Sequence, residues 1–544
     1  MSAPDKMQRD ETAKAPGGQT VRETVYGLLR AFGMTTVFGN PGSTELRFFR
    51  DWPRDFRYVL SLQESIAVAM ADGYAQATRG CAFVNLHSAA GAGNAMGSIF
   101  TAYRNQTPLV ITAGQQTRAM FPTEPFLFSA QATDLPRPYV KWSVEPARAQ
   151  DVPAAIVRAY YVAMQKPRGP VFVSVPEDDW DALAEPVAVR DVSFDVAPDP
   201  DALVALVRAL DASRRPVIVA GNAVDQDDAW DALVRLAERL EAPVWASPMY
   251  GRASFPEDHR LFAGALPPLR RPLAEKLAGH DLVLVLGAPV FVYHVHTGGE
   301  FLPSGAALWL MSDDPDAIAR APVGNAVRAS MRLGLAQLLE ALPARPRARA
   351  EGRRLSSPPA GAERPTGAYL MHAVARLRPK DAVIVEEAPT HRDAQKAFLP
   401  ITRSGGFYSQ ASGGLGWGIA AAAGIALAQK DKVICVLGDG SALFSIQALW
   451  SAANQKLPIA YVIFNNSGYG ALRSFSGLLG VRGAPGHDVK GVDFAHIARG
   501  FGCEADTVER TAQLDAALRA AFASDKPYVV DVRLAEGVER LYED

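Results

Sequence analysis

Two short polar motifs, each directly after an apolar run, contain residues suited to binding a metal ion and a phosphate. Asp439 stands between two glycines after the run 433–437, and Asn466 follows the run 459–464. Carboxylate, amide and backbone carbonyl oxygens are hard ligands that suit Mg²⁺ or Ca²⁺ better than zinc. Mg²⁺ held by so few protein oxygens usually also binds phosphate oxygens. The residue types therefore predict a metal–phosphate site, although either motif alone is also compatible with an ordinary turn.

The elements around these motifs place them at one edge of a sheet. Both apolar runs are typical of buried parallel strands. The segment between them has helical spacing of its apolar residues and predicts one connecting helix through Leu443, Ile446, Leu449 and Trp450. The carboxyl ends of parallel strands are where open α/β sheets bind ligands. There the amides of Gly440 and Ser441 would begin a helix whose N-terminus favours an anion.

Three further polar residues stand at strand-to-helix junctions early in the chain. Ser43 follows the turn GNPG, Glu64 follows the run 58–62, and His87 follows the run 81–86. Each also has an ordinary structural interpretation. Ser43 could be a helix cap, Glu64 a solvated carboxylate in a first helical turn, and His87 a structural histidine. The repeated strand–helix alternation predicts a doubly wound parallel sheet.

Composition narrows the class of protein. The chain has 544 residues, 48% of them hydrophobic, and a formal net charge of −2, which gives no basis for a nucleic-acid or membrane partner. Its three cysteines, Cys81, Cys435 and Cys503, show neither a disulfide framework nor zinc spacing, which favours a cytoplasmic location. No apolar run has the length of a membrane-spanning helix. We therefore expect a protein that acts on a small molecule.

Stretches without apolar periodicity predict the domain boundaries. The fold class is α/β, with three doubly wound parallel-sheet domains. The predicted segments are a disordered tail at 1–19, a first domain at 20–185, a second at 196–342, a Pro- and Arg-rich linker at 343–366 and a third domain at 367–544. The second domain lacks a G-x-G-x-x-G motif after its strands, so no bound nucleotide is predicted.

Taken together, the motifs resemble those of one enzyme family. They are GNPGSTEL, the LQE that contains Glu64, LHSAAGAGNAMG, AGQQTRAM, LPRPYVKWS, VPEDDWD and the paired GDG and NN. They resemble the benzoylformate decarboxylase family, which belongs to the thiamine diphosphate-dependent 2-oxo acid decarboxylases. The GDG and NN pair marks only the wider superfamily, whereas Ser43, Glu64, His87 and Tyr293-His294 mark the narrower family. The resemblance extends over nearly the whole chain after residue 20.

The resemblance implies a cofactor and its ligands. Thiamine diphosphate and Mg²⁺, with Ca²⁺ as an alternative, would lie between a pyrimidine-binding first domain and a diphosphate-binding third domain. The implied metal ligands are Asp439, Asn466 and Gly468. The implied cofactor-binding residues are Glu64, Thr390, Leu415, Gly440, Ser441 and Tyr469. In this superfamily the two domains come from different subunits, so a homodimer is the expected minimal active unit, commonly paired into a homotetramer.

The resemblance also implies catalytic and pocket residues for a 2-oxo acid substrate. Glu64 would promote the reactive tautomer of the cofactor, His87 and His294 would move protons, and Ser43 would bind the substrate carboxylate. The implied substrate pocket consists of Ser43, Phe126, Leu127, Ser409, Ala471 and Phe475.

Two departures from the family affect the expected pocket. Ser409 and Ser474 stand where the family has aromatic residues, which predicts a pocket that is wider or more polar. Its apolar residues favour an aryl or long alkyl group. A further departure, Glu386, has no role that the resemblance assigns.

The expected reaction is non-oxidative decarboxylation of an aromatic or bulky 2-oxo acid to an aldehyde and CO₂. Two alternatives remain at this point. One is a carboligase or lyase of the acetolactate synthase or 2-hydroxyacyl-CoA lyase type, whose usual forms lack this histidine pair. The other is a thiamine-binding protein without catalysis, which the presence of Glu64, His87 and His294 argues against.

Overall fold

Three six-stranded parallel sheets form the framework of the computed structural model, which describes residues 18–346, 348–349, 356–537 and 541. The central strands of each sheet are buried along their length, as expected for strands covered on both faces. The predicted α/β class with three parallel-sheet domains is confirmed. Residues 1–17 of the predicted tail lie outside the described residues, while Gln19 belongs to a strand.

The first domain is built from strands that alternate with helices, and six of these strands form the first sheet. The strands are β1 Gln19–Thr20, β2 Thr36–Asn40, β3 Arg57–Leu60, β4 Ala82–Leu86, β5 Leu109–Gln115, β6 Ser143–Val144, β7 Val171–Pro176 and β8 Leu183–Ala184. The helices are α1 Val21–Ala31, α2 Glu64–Thr78, α3 Ser88–Arg104 and α4 Val152–Met164. The spatial order is β3-β2-β4-β5-β7-β6, and β1 pairs separately with β8 in an antiparallel ribbon.

The strands of the second sheet, numbered along the chain, have the spatial order β11-β10-β9-β12-β13-β14. These are β9 Pro216–Ala220, β10 Val244–Ala246, β11 Phe262–Ala265, β12 Leu282–Leu286, β13 Ala307–Ser312 and β14 Asn325–Arg328. Its helices are α5 Pro200–Ala212, α6 Asn222–Gln226, α7 Trp230–Leu240, α8 Arg270–Lys276, α9 Pro315–Arg320 and α10 Met331–Ala341. Within the predicted linker at 343–366, the described residues contain neither helix nor strand.

The third sheet carries the GDG and NN motifs. Its strands are β15 Val383–Glu387, β16 Phe407–Ser409, β17 Val433–Gly438, β18 Ile459–Asn465, β19 Glu504–Val508 and β20 Tyr528–Arg533, in the order β16-β15-β17-β18-β20-β19. Its helices are α11 Gly367–Leu377, α12 Arg392–Phe398, α13 Trp417–Ala428, α14 Asp439–Phe444, α15 Ala448–Asn454, α16 Gly470–Leu478, α17 Phe494–Gly500 and α18 Thr511–Ala523. Strands β17 and β18 are direct neighbours, so the two motifs share one sheet edge, as predicted.

The single helix predicted after the GDG motif is wrong, because the segment forms two short helices, α14 and α15. The break falls at Ser445, which ends α14 with φ −144°. A Cβ at Gly416 would lie 2.5 Å from the Ser445 hydroxyl and 2.8 Å from the Phe444 Cβ. The turn that precedes α13 therefore lies directly against this break.

Helices α2 and α13 join the first and third domains by close antiparallel packing. A Cβ on Gly73 would lie 2.4 Å from the carbonyl oxygen of Ala421, and one on Gly424 would lie 1.8 Å from that of Met70. Residue numbers thus rise along one helix as they fall along the other. None of the helices in the described part of the chain is both long and apolar enough to cross a membrane.

Candidate active site

Asp439 and Asn466 lie at the carboxyl ends of β17 and β18. The carboxylate of Asp439 accepts hydrogen bonds from the amides of Gly440, at 2.7 Å, and Gly468, at 2.9 Å. Burial raises the pKa of Asp439. The side-chain oxygen of Asn466 is buried and has no hydrogen-bond partner among the described residues. A buried amide oxygen normally needs a partner, so an orphaned one beside a carboxylate fits a bound hard cation.

Close backbone approaches shape the surroundings of this pair. Gly468 adopts φ +152°, a conformation that side-chain-bearing residues rarely take, and its amide thereby reaches Asp439. A Cβ on Gly440 would lie 2.4 Å from the Tyr469 ring, so this ring rests directly on the start of α14. Ser441, in the first turn of α14, is buried. The five residues Asp439, Gly440, Ser441, Gly468 and Tyr469 thus form one continuous surface with Asn466.

Thr390 and Leu415 approach the same surface from two other turns. The Thr390 hydroxyl accepts a hydrogen bond of 3.0 Å from the amide of Ala471, which ties the turn after β15 to α16. Leu415 is held through its neighbours, because the buried carboxyl of Glu387 accepts 2.6 Å hydrogen bonds from the amides of Gly416 and Gly418. Burial raises the pKa of Glu387 to about 8. The sequence did not reveal this positioning role of Glu387.

A cavity of about 670 Å³ brings these residues together with His294. Its lining includes every predicted metal and diphosphate ligand of the third domain, together with Ala471. His294 follows β12 and packs edge-on against the ring of Phe475, with 5.0 Å between ring centroids. Burial, and then the positive charge of Arg392, lower the pKa of His294. His294 of the second domain and the predicted metal and cofactor-binding residues of the third domain therefore meet in one cavity within a single chain.

His87 belongs to a separate cluster at the edge of the first sheet. Its Nδ1 lies 3.0 Å from Oε2 of Glu45 and 3.1 Å from the Thr44 hydroxyl. The hydrogen bond to Glu45 raises the pKa of His87. The buried Glu45 carboxylate also accepts from the amides of Gly42 and Gly114. Glu45 is thus the residue that orients His87. From the sequence alone, Glu45 is explained equally well as a carboxylate at the start of a helix.

Glu64 and Leu415 lie at opposite ends of the packed helices α2 and α13. It begins α2, and Asn94 donates a 3.1 Å hydrogen bond to its carboxylate. Because α2 runs antiparallel to α13, Glu64 is level with the C-terminal end of α13, whereas Leu415 precedes its N-terminus. The 12 residues of α13 span roughly 18 Å. Within one chain, therefore, Glu64 does not line the cavity of the third domain, which the first domain reaches only through Arg104 at the end of α3 among the described residues.

The other first-domain residues named from sequence also lie outside this cavity. Ser43 is exposed in a 3₁₀ turn, Leu127 is half-buried with φ +71°, and Phe126 is 88% exposed. Of the predicted pocket residues in the third domain, Ala471 lines the cavity, whereas Ser409 and Phe475 do not. Phe475 supports His294, and Ser409 is a buried residue at the end of β16.

Ser409 belongs to a polar network that the sequence did not predict. Its hydroxyl donates a 2.9 Å hydrogen bond to the carboxylate of Glu386 and accepts one of 3.0 Å from the Arg392 guanidinium. Arg392 also forms an ion pair of 2.9 Å with Glu386. The guanidinium therefore lies directly against Ser409, where the sequence predicted a pocket that is wider or more polar. Ser474 likewise faces other protein atoms, because its hydroxyl accepts from the amide of Leu541.

Comparison with known proteins agrees with this arrangement. Three family models match the chain: the N-terminal TPP binding domain of thiamine pyrophosphate enzymes at 19–131, their central domain at 203–338 and their C-terminal TPP binding domain at 390–532. A benzoylformate decarboxylase of Pseudomonas aeruginosa is 46% identical over 524 residues, which cover 94% of this chain and 98% of that protein. The chain belongs to the benzoylformate decarboxylase family of thiamine pyrophosphate enzymes. The predicted resemblance is confirmed.

Two solved structures of this family are similar over nearly their full length. The benzoylformate decarboxylase of Polynucleobacter necessarius has a TM-score of 0.94 and 40% identity, covering 96% of this chain and 100% of the other. A thiamine diphosphate-dependent 4-hydroxybenzoylformate decarboxylase of Rhodococcus jostii RHA1 has a TM-score of 0.92 and 42% identity, covering 95% and 100%. As a member of the benzoylformate decarboxylase family, the chain is a carboxy-lyase with thiamine diphosphate-binding domains.

Proposed function

We propose that this enzyme uses thiamine diphosphate and Mg²⁺ to decarboxylate an aryl 2-oxo acid of the benzoylformate type, yielding an aldehyde and CO₂. The observation that carries the proposal is the single cavity that contains Asp439, Asn466 and Gly468 together with His294. A cofactor-binding set and a titratable group in one cavity are what a cofactor-dependent decarboxylase requires. The family match supports the same reaction.

The residues present fit the cofactor and its metal. Asp439, the orphaned oxygen of Asn466 and the carbonyl of Gly468 would hold Mg²⁺, with Ca²⁺ as an alternative ion. Thr390, Gly440, Ser441 and Tyr469 would contact the diphosphate, Leu415 would support the bent cofactor, and Glu64 would hydrogen-bond its pyrimidine ring. When bound, thiamine diphosphate supplies the electron sink that no side chain offers.

The catalytic roles follow from the opposite environments of the two histidines. The raised pKa of His87 favours its protonated form, while the lowered pKa of His294 favours its neutral form. Two groups whose environments separate their pKa values are suited to act as acid and base. We assign His87 to proton donation and His294 to proton acceptance. Ser43 would hold the substrate carboxylate.

We further propose that each active site forms between two copies of the chain. The first-domain set around Glu64 lies roughly 18 Å or more from Leu415 within one chain, so a second copy must supply it. Exposed apolar side chains in both domains support this assembly. In the first domain they are Leu46, Leu62, Met120 and Phe126; in the third they are Phe444 and Leu472, which line the cavity, and Leu478 and Leu479 at the end of α16. A homodimer is then the minimal active unit, and a homotetramer its paired form.

Other predictions from the sequence stay proposals. The domain boundaries 20–185, 196–342 and 367–544 are supported by the strands that each interval contains. The cytoplasmic location rests on the cysteine content alone. Phe126 and Leu127 would reach the substrate from the second copy, since they extend from the same first-domain edge as Ser43 and His87.

The reaction is tested with purified protein, thiamine diphosphate and Mg²⁺. Benzoylformate, phenylpyruvate, a long-chain 2-oxo acid and pyruvate are each incubated, and CO₂ and aldehyde are measured. We expect benzoylformate to react well and pyruvate poorly, because each missing methylene forfeits about 0.8 kcal/mol of apolar burial. Pyruvate as the best substrate, or a coupled acyloin as the main product, would contradict the proposal and favour a carboligase.

The shared site is tested by mixing two inactive variants. Glu64→Gln and Asp439→Ala chains are unfolded, mixed, refolded and compared with each variant refolded alone. If Glu64 and Asp439 come from different copies, a mixed dimer contains one intact site and one doubly defective site. Random pairing then restores about a quarter of wild-type activity. Activity no higher than that of the separate variants, with mixed dimers demonstrated by mass spectrometry, would place both residues in one chain.

A further inference from the structure

We infer that Asn105 is a positioning residue for the cofactor, which acts with Asp72 to fix the loop 410–416 from the first domain of the same chain. The inference rests on the proposed function and adds a residue to which neither the sequence motifs nor the family resemblance assign a role. The loop connects β16 to α13 and carries Leu415, which we propose to support the bent cofactor. It lines the cavity through Gln410, Ala411, Ser412, Gly413 and Leu415.

Asn105 contacts all three domains of its chain. It directly follows α3, is 6% exposed, and its side-chain oxygen accepts a 2.8 Å hydrogen bond from the amide of Ala411 in the loop. Its side-chain nitrogen donates a 2.8 Å hydrogen bond to Oδ2 of Asp72 in α2. Its backbone carbonyl accepts one of 3.2 Å from Gln226 in the second domain. One short side chain thus connects α2 to the backbone of the loop.

The two carboxyl oxygens of Asp72 have different kinds of partner. Oδ1 accepts from Gln76, at 2.9 Å, and from Thr107, at 2.5 Å, and both of these residues belong to the first domain. Oδ2 accepts from Asn105 and, at 2.7 Å, from the indole nitrogen of Trp417, the first residue of α13. These donors occupy the acceptor positions of the carboxyl group, so they hold it in one orientation. Oδ2 is therefore the oxygen that connects Asp72 to the third domain.

The loop is anchored at its start by the first domain and at its end by the third. At the start, in addition to the bond with Asn105, the hydroxyl groups of Thr101 and Ser412 lie 2.9 Å apart. At the end, the carboxyl of Glu387 holds the turn before α13. Leu415 lies between the two anchors, so its position depends on the first domain as well as on its own.

Holding α2 against α13 does not by itself require this network. The two helices already meet through the close backbone contacts at Gly73 and Gly424. Asp72 is fully buried, and no lysine or arginine among the described residues pairs with it. Because burial of such a group is unfavourable, apolar side chains would join the helices at a lower cost in free energy. The network adds a hydrogen bond of defined direction to a loop that lines the cavity.

Loss of the Asn105 side chain should weaken binding of the whole cofactor without weakening binding of its diphosphate end. A loosened loop must be ordered when the cofactor binds, which reduces the affinity. We expect Asn105→Ala to weaken thiamine diphosphate binding about five- to a hundredfold, the effect of a lost hydrogen bond and an unsatisfied buried group. Asp439 and Asn466 follow other strands, β17 and β18, so binding of inorganic pyrophosphate with Mg²⁺ should not change.

The test is calorimetry of thiamine diphosphate and of pyrophosphate, each with Mg²⁺, on full-length protein dialysed free of cofactor. If Asn105→Ala does not fold, Asn105→Ser replaces it, since a serine is too short to serve both Asp72 and Ala411. Thr107→Val is the matched control, because it removes a donor from the other oxygen of Asp72 and leaves the loop anchors in place. It should lower the urea midpoint of unfolding without changing cofactor affinity. Weakening of cofactor binding by Thr107→Val to the same extent would reduce Asn105 to a structural role and overturn the inference.

A double-variant cycle tests whether Asn105 acts through Leu415. Leu415→Ala should weaken thiamine diphosphate binding by itself. If Asn105 acts by placing Leu415, adding Asn105→Ala should weaken binding little further, since interacting residues give non-additive effects. Losses that multiply fully would show that Asn105 acts independently of Leu415 and would overturn the inference.

Hydrogen exchange separates this inference from the proposed function, because it needs no cofactor. The peptide that spans 410–416 should exchange about tenfold or more faster in the Asn105 variant than in the wild type and in Thr107→Val. Unchanged exchange, or unchanged thiamine diphosphate affinity in the Asn105 variant, would overturn the inference and leave the decarboxylase assignment intact. A wild-type protein that binds no thiamine diphosphate would refute the proposed function and, with it, the role of Asn105 toward the cofactor, even if loop exchange changed as expected.

Discussion

Gly73 and Ala421 are so close that a Cβ on Gly73 would lie 2.4 Å from the Ala421 carbonyl oxygen. This contact joins α2, which begins at Glu64, to α13, which follows Leu415. It sets the antiparallel register that separates the two halves of the proposed active site within one chain. A backbone carbonyl is less able to move aside than a side chain, so this register depends on glycine.

We expect Gly73→Ala to destabilise the protein by about 1–3 kcal/mol or more, because overpacking forces the two helices apart. The measurement is the urea midpoint of unfolding followed by circular dichroism. Gly27→Ala is the matched control, since Gly27 lies within α1 and a Cβ there would meet no atom of a neighbouring element within 4 Å. That control should be neutral or slightly stabilising. Equal midpoints for the two variants would contradict the close packing of α2 on α13.

Asp439→Ala should abolish retention of thiamine diphosphate, because the proposed metal set loses its only charged ligand. Asn466→Ala should weaken retention, because one neutral oxygen is removed. Bound thiamine diphosphate is measured after dialysis against buffer with Mg²⁺. The control is Asp515→Ala, which removes a half-exposed carboxylate paired with Arg376 on α11. Full cofactor content in both site variants would refute the metal assignment.

The opposite pKa shifts of the two histidines predict a bell-shaped pH profile of kcat/KM. The acid limb reflects protonation of His294, whose lowered pKa places it below about 6.5, and the alkaline limb reflects deprotonation of His87, whose raised pKa places it above that value. Glu45→Gln removes the carboxylate that raises the pKa of His87. We therefore expect the alkaline limb to move to lower pH in this variant while the acid limb stays in place. Movement of the acid limb instead would reverse the assignment of the two histidines.

Glu387→Gln should loosen the turn that carries Leu415. The carboxyl group accepts from two amides, at Gly416 and Gly418, whereas an amide side chain offers one acceptor and one donor in its place. An unsatisfied buried group costs about 1–3 kcal/mol, so we expect a lower unfolding midpoint and weaker cofactor retention. Glu504→Gln, a surface control paired with Lys526, should change neither. An unchanged midpoint in Glu387→Gln would show that the turn does not depend on this carboxyl.

Much of the third domain was predictable from the sequence. The strands β17 and β18 are buried apolar runs that end in polar motifs, so the shared sheet edge of Asp439 and Asn466 follows from local pattern. The same reasoning missed the break at Ser445, because apolar residues keep helical spacing through it. That break coincides with contacts from the turn before α13, which lies well apart from it along the chain.

The parallel-sheet class, the family and most of the residue types at the site can be predicted from the amino-acid sequence, because strand periodicity and short motifs are local properties. Which of these residues meet depends on the packing of the folded chain. The pairing of β15 with β16 brings Glu386 and Ser409 together with Arg392, and the antiparallel packing of α2 on α13 keeps Glu64 away from Leu415. Both outcomes depend on contacts between distant segments, and local spacing along the chain carries no information about such contacts.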